Sequence, residues 1–402
     1  MSYKSMSTCK PDSPRAIWLT ATAVGLLIAS VSMAASSQLV LAPPNLAPDD
    51  QFGFSVAASG NLMVVGAPAL GFPATSSGSA YVYQRNGSAW TLQARLAPSF
   101  GLPGDAFGTS VAIDGNTIAV GAPGDNTFGH VYIFVNMNGV WVQQPDVLHA
   151  SDNFLFGNFG ASLSMSKDTI AVGAPFTRQG AVYVFIHSSV TGFWDPQGKP
   201  LVPADAGLSL GNSVSIVGDT IVAGAPRTGN FTGAAYVFNR SAGVWNQTAL
   251  LAPSPALTNF GWSTAMTSNT MVVGAPDGNI PGGPGAAFVY TLSNNVWTLQ
   301  SKLQGNASGR ALLGWSVGAN GNTLALGAPA DASFGFTGGT YVYTGGGANW
   351  QLVSQQAPAN GTVSQLFGYS VAVIDGNTTA EGSPWVGTPA SPRTGAVYVT
   401  QR

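Results

Sequence analysis

The sequence predicts an all-β protein, a seven-bladed β-propeller of four-stranded blades closed by an N-terminal strand that completes the last blade. Three observations carry this. A unit opening on Phe-Gly or Leu-Gly at Phe52, Phe107, Phe159, Leu210, Phe260, Leu313 and Phe367 recurs seven times. Each copy closes on Gly-Ala-Pro, or Gly-Ser-Pro at Gly382, and its first and last glycines are 13 residues apart in six copies and 14 in the seventh. Successive closing glycines are 50 to 55 residues apart, a period that marks stacked supersecondary units.

Within the second copy, Phe107 to Ile113 alternates large and small residues, Asp114-Gly115-Asn116 is a tight-turn signal, and Thr117 to Ala122 is a short β-branched run. That pattern reads as a hairpin. The run is apolar on both faces, as a strand between neighbouring sheets must be, and Pro123 ends it because proline cannot donate to a ladder. A third strand follows a variable loop, as in Gly129-His-Val-Tyr-Ile-Phe134 and Gly180-Ala-Val-Tyr-Val-Phe185. A tryptophan (Trp90, Trp141, Trp194, Trp245, Trp297, Trp350) then opens a more polar fourth strand. Four strands with the outermost most polar make a propeller blade.

The seventh copy stops at Arg402 without a fourth strand. Leu41-Ala42-Pro43 precedes Phe52 by the interval at which Leu96-Ala97-Pro98 precedes Phe107, so residues 38 to 44 are expected to supply it and close the ring. Open sheet edges invite association, which closure prevents.

Residues 1–35 differ from the rest. Lys4, Lys10 and Arg15 precede an uncharged run from Ala16 to Ala35 that ends in Ser32-Met33-Ala34, the layout of a secretory signal; an uncleaved anchor is the alternative. Residues 36–402 are then one exported domain. The only cysteine, Cys9, lies in the leader, so the mature domain has no disulfide, thiolate site or cysteine nucleophile. Charged residues are 7% of the chain, against about 25% in ordinary domains, and the mature balance of 11 basic to 15 acidic residues leaves no basic stripe for nucleic acid. A monomer is expected, with a membrane contact only through a retained leader.

Phe-Gly followed by Gly-Ala-Pro, seven times in phase with a Tyr-Val-Tyr-like strand after each, resembles the FG-GAP repeat family, whose best-known member is the head of integrin α-subunits. The resemblance covers residues 38 to 402 and implies a seven-bladed propeller closed by an N-terminal strand. It is closer to secreted or surface microbial proteins built only of such repeats than to integrins. Calcium-binding copies of that family carry an Asp-x-Asp-x-Asp-Gly loop between the first two strands. Here the place holds Ser59-Gly60-Asn61, Asp114-Gly115-Asn116, Ser166-Lys167-Asp168, Val217-Gly218-Asp219, Thr267-Ser268-Asn269, Asn320-Gly321-Asn322 and Asp375-Gly376-Asn377, none with more than one carboxylate. These read as hairpin turns, and no metal or cofactor is expected.

Loops after Gly-Ala-Pro and before Phe-Gly should share one face of the ring. On it the sequence places Phe72, Asp125, Phe128, Arg178, Arg227, Phe231, Asp277, Asp331, Phe334, Phe336 and Trp385. Aromatics beside a few charges suit an extracellular protein or glycan ligand; alternatively the phenylalanines cap gaps between blades and the aspartates satisfy turn amides. The expected function is a binding or adhesion module. The competing one is a polysaccharide-acting enzyme using Asp125, Asp277 or Asp331, which needs two carboxyl groups about 5 to 9 Å apart, and a third is a structural envelope component. His130, His149 and His187 share no metal-ligand spacing, and no nucleophile elbow or phosphate loop is present. Glu381, the only glutamate, stands where other copies have Val or Ala, either as a strained feature of the closing blade or as a pocket acid with a raised pKa.

Overall fold

The computed structural model describes residues 36–402, apart from 72–73, 75, 153, 254–258, 278–282, 308, 336, 360, 362–364 and 388–392. The leader expected over residues 1–35 lies outside the described residues.

Seven four-stranded antiparallel sheets follow one another around a ring. Blade 1 runs outward through Ser55–Ser59, Leu62–Ala67, Ser79–Asn86 and Ala89–Leu96. Blades 2 to 6 repeat it, starting at Ser110, Ser162, Ser213, Ser263 and Ser316. The first hairpin of blade 2 pairs Asp114 with Thr117 across Gly115-Asn116, the two-residue turn read from the sequence. Blade 7 pairs Val373 with Thr379 instead, and this longer turn accounts for its extra residue.

Blade 7 takes Ser370–Val373, Thr378–Ser383 and Ala396–Gln401 from the end of the chain and Ser37–Leu41 from its beginning. Leu39 lies opposite Val399 and Leu41 opposite Val397, so the expected closure is present, over a slightly shorter strand than residues 38 to 44.

The motif residues explain themselves in contact. Phe52, Phe107, Phe159, Phe260 and Phe367 are fully buried, each ring edge-on to the third-strand Tyr or Phe of its own blade at 5.2 to 5.6 Å. Gly108 sits at φ +99, where a Cβ is strained, and a Cβ on Gly121 would stand 2.1 Å from the Gly160 carbonyl oxygen. The second glycine is therefore the point at which adjacent blades touch backbone to backbone. A serine two residues after each Phe-Gly or Leu-Gly stitches the same junction: Ser110 Oγ donates to Gly160 O at 2.6 Å and Ser263 Oγ to Gly314 O at 2.7 Å.

Six of the seven blade interfaces are sealed by clusters of eleven to fifteen buried apolar side chains. The interface between blades 6 and 7 is different. Ala325, Val371 and Val373 are its central apolar cluster, and Thr340, Gln356, Thr379, Glu381 and Thr400 are buried beside them. Blade 3 departs in another way. Its outer strand is only Trp194–Pro196, against eight or nine residues in blades 1, 2, 4, 5 and 6. Pro196 and Pro200 have no N–H to pair, and Gly198 turns the chain at φ +81.

Candidate functional site

The loop-rich face is built as expected. Loops leaving the second strands end at glycines such as Gly78 and Gly233, which bridge in parallel to Phe107 and Phe260 at the ends of the loops entering the next blade. Short helical turns at Asp125–Thr127, Thr228–Phe231 and Ala332–Phe334 shape three of them.

At the centre of this face lies a feature that the sequence reading missed. The residue after Phe-Gly or Leu-Gly is Phe54 in blade 1 and Trp262, Trp315 and Tyr369 in blades 5 to 7, and these rings touch in sequence around the ring. Centroids are 4.7 Å apart for Trp262 and Trp315, 5.5 Å for Trp315 and Tyr369, and 4.9 Å for Tyr369 and Phe54. Equivalent side chains of successive blades approach this closely only where blades converge, so the arc borders the central opening. Blades 2 to 4 have Thr109, Ala161 and Asn212 there, which leaves the arc open on one side. Asn212 Nδ2 donates to the Trp262 carbonyl at 2.9 Å, fixing one end. All four rings are partly exposed. Burial pushes the Tyr369 hydroxyl up to about 12, so it stays protonated. The signal was legible in principle: aligning the seven copies on Phe-Gly brings four aromatics into one column, consecutive once the ring closes.

Of the residues expected on this face, Phe72 and Phe336 lie outside the described residues. Asp125 and Asp331 do not open onto it; both carboxylates are buried. Tyr132 Oη donates to Asp125 at 2.5 Å, and His130 Nδ1 lies 3.2 Å from the same carboxylate. Tyr341 Oη donates to Asp331 at 2.5 Å, and the Ser333 N–H at 2.9 Å. These aspartates pin third-strand tyrosines to the loop, and the buried hydroxyls are pushed well above their usual range. Asp277 accepts from Asn259 Nδ2 and lies 3.7 Å from Arg310. Belonging to blades 2, 5 and 6, and each engaged within its own loop region, the three form no pair facing a groove. Phe128 and Phe334 are half-buried, Phe334 packing on Tyr341 at 6.2 Å.

The remaining candidates do meet solvent. Phe231 is 54% exposed and Trp385 42%, with the Arg393 guanidinium 5.0 Å from the Trp385 ring. Arg227 lies 5.8 Å over Phe176. Arg178 borders a cavity of about 320 Å³ shared with Asp152, Phe154 and Val202. Exposed Phe156 and Leu208 flank this sector and were not singled out from sequence, because isolated hydrophobics in variable loops carry no period.

Glu381 is fully buried, and Thr400 Oγ1 donates to its Oε2 at 3.0 Å. Burial pushes its carboxyl up to about 8, against the opposing pull of the Thr379 and Thr400 hydroxyls and the Arg402 charge. It belongs to the closing blade's interior. Among the described residues no group of three or more His, Cys, Asp or Glu is placed to hold a metal, and no helix is long and apolar enough to cross a membrane.

Fold and face together define a closed seven-bladed propeller with one loop-rich face. The FG-GAP repeat profile matches residues 36–83, 90–134, 141–185, 201–238 and 245–290, and the chain belongs to the FG-GAP repeat family. No curated protein matches it at a significant level. An FG-GAP propeller suggests a binding or adhesion-type module.

Proposed function

We propose that the protein is an exported binding module that holds a protein or glycan ligand on the loop-rich face, with a protruding flat or cationic group of the ligand resting on the Trp262, Trp315, Tyr369 and Phe54 arc. The arc carries this reading. Partly exposed rings grouped at one mouth are costly to leave in water and are matched by a sugar face, an aromatic ring or a cation. Stitched innermost strands hold them in place before a ligand arrives, which lowers the ordering cost of binding. Outward of the arc, Arg178, Arg227, Phe231 and Trp385 provide variable contacts on the same scaffold.

Engagement of Asp125, Asp277 and Asp331 within their own loops favours binding over glycoside hydrolysis, which needs two carboxyl groups facing one groove. The test is retention of the purified chain on glycan arrays and intact cells, with product analysis alongside. Binding without turnover that disappears in the Trp262→Ala/Trp315→Ala variant supports the reading. Turnover, or the absence of any protein or glycan ligand whose retention that variant reduces, overturns it.

A further inference from the structure

The rim of blade 3 carries a second, independent feature. In a repeat protein each blade is held to the same plan by its neighbours, so the one blade that abandons the plan at its edge is informative. Two grooves border this edge, one along Trp194–Pro196 and one along the residues 197–203 that follow, where Leu201 pairs again with Val182. One, of about 440 Å³, lies against the outer strand of blade 2; the other, of about 400 Å³, lies against that of blade 4.

The first groove has an apolar floor of Leu148, Phe185 and Trp194, all buried, and Phe193 stands at its edge, 48% exposed. Around the floor are Asp146, Asp195 and His149. The Asp146 carboxylate accepts the Trp194 N–H at 3.3 Å, and His149 Nδ1 lies 3.2 Å from the Ala150 carbonyl oxygen. The second groove is walled by Trp245, whose Nε1 donates to Gln197 Oε1 at 2.8 Å, with the exposed amides of Asn246 and Gln247 and the Lys199 ammonium at its lip.

We infer that these paired grooves on the rim of blade 3 are a binding site for a neutral oligosaccharide. A pyranose has one apolar face and a girdle of hydroxyls, and the two grooves share that complement: the half-exposed Phe193 ring beside two carboxylates in the first, and the amides of Asn246 and Gln247 along the second. A purely apolar ligand would strip water from Asp146 and Asp195 without replacing its hydrogen bonds. Sialylated or sulfated sugars meet those two carboxylates with like charge in the first groove. Two grooves along one blade edge suit successive residues of a chain more than a single sugar.

The test uses the full chain on an array of neutral hexose and N-acetylhexosamine oligosaccharides, with sialylated and sulfated glycans and a polylysine surface as comparison probes. Expected is retention by a subset of neutral oligosaccharides only, with affinity reduced about tenfold each in Phe193→Ala, Asp195→Asn and Gln247→Ala. These side chains are exposed or half-exposed, so thermal melts should match the parent and exclude misfolding. The Trp262→Ala/Trp315→Ala variant should keep rim binding, which separates this site from the loop-rich face. Retention of acidic glycans or polylysine in place of neutral glycans, no retention at all, or neutral-glycan binding unchanged in the three rim variants overturns the inference.

Discussion

The Ser370 hydroxyl donates a 2.9 Å hydrogen bond to the carbonyl of Gly53, joining the last blade to the first. The same bond links Ser55 to Gly108 at 2.9 Å and Ser316 to Gly368 at 2.8 Å, so the junction made by the chain's two ends is chemically identical to junctions inside it. Ser370→Ala should cost about 1 kcal/mol, a shift of about 1–3 °C in melting temperature. Gly382→Ala should cost more than about 3 kcal/mol, because a Cβ there would stand 1.9 Å from the Gly53 oxygen, against backbone that cannot yield. Calorimetry of the two variants side by side checks the ranking; an equal or reversed effect contradicts the stitch.

Removal of residues 37–44 should lower the melting temperature by several degrees and promote association. It exposes the Ala396–Gln401 strand, whose backbone groups now pair with Ser37–Leu41. Melting curves and light scattering across protein concentration report both effects. A monodisperse truncated protein with an unchanged melt would mean that closure contributes little.

Glu381 makes stability depend on pH with a definite sign. Its carboxyl is pushed up to about 8 in the fold from an ordinary value of 4.5. Between those values the unfolded chain has released the proton and the folded chain keeps it, so stability is greatest at the acid end and falls as pH rises, by about 1.4 kcal/mol per pH unit. Glu381→Val, the residue at this place in blades 1, 2, 3 and 5, should remove this slope and raise the melting temperature most near pH 8. Denaturant titrations of both proteins from pH 5 to 8 measure the difference; parallel profiles would show that Glu381 does not titrate in this window.

Asp331→Ala should destabilise the domain by about 2–3 kcal/mol, since it strips the buried Tyr341 hydroxyl and the Ser333 N–H of their acceptor. Arg227→Ala, on the exposed face, should change the melt by less than about 0.5 kcal/mol. Denaturant midpoints distinguish them, and ligand retention should respond in the opposite order.

EDTA should leave the melt unchanged within about 1 °C, because hairpin turns offering one carboxylate at most cannot assemble the six or more oxygens that calcium takes. Thermal melts with EDTA and with added calcium measure this.

Propeller class, blade count, strand order and closure were legible because each rests on local spacing repeated seven times: Phe-Gly, the two-residue turn and Gly-Ala-Pro recur at fixed offsets, and Leu41 repeats the place of Leu96. The role of the second glycine was legible only as a requirement for closeness; that it meets the next blade's Phe-Gly carbonyl is a contact between residues about 40 positions apart, such as Gly121 and Gly160. Asp125 and Asp331 looked like surface carboxylates because sequence does not say which loop aspartate folds inward to meet a tyrosine. Trp262, Trp315, Tyr369 and Phe54 were each readable as ordinary strand residues, and the polar seam around Glu381 as one odd substitution. Their grouping exists only where seven sheets converge, because a ring makes neighbours of residues about 50 apart, and of residue 54 with residue 369. Repetition along the chain determined the architecture; curvature into a closed circle decided which side chains meet.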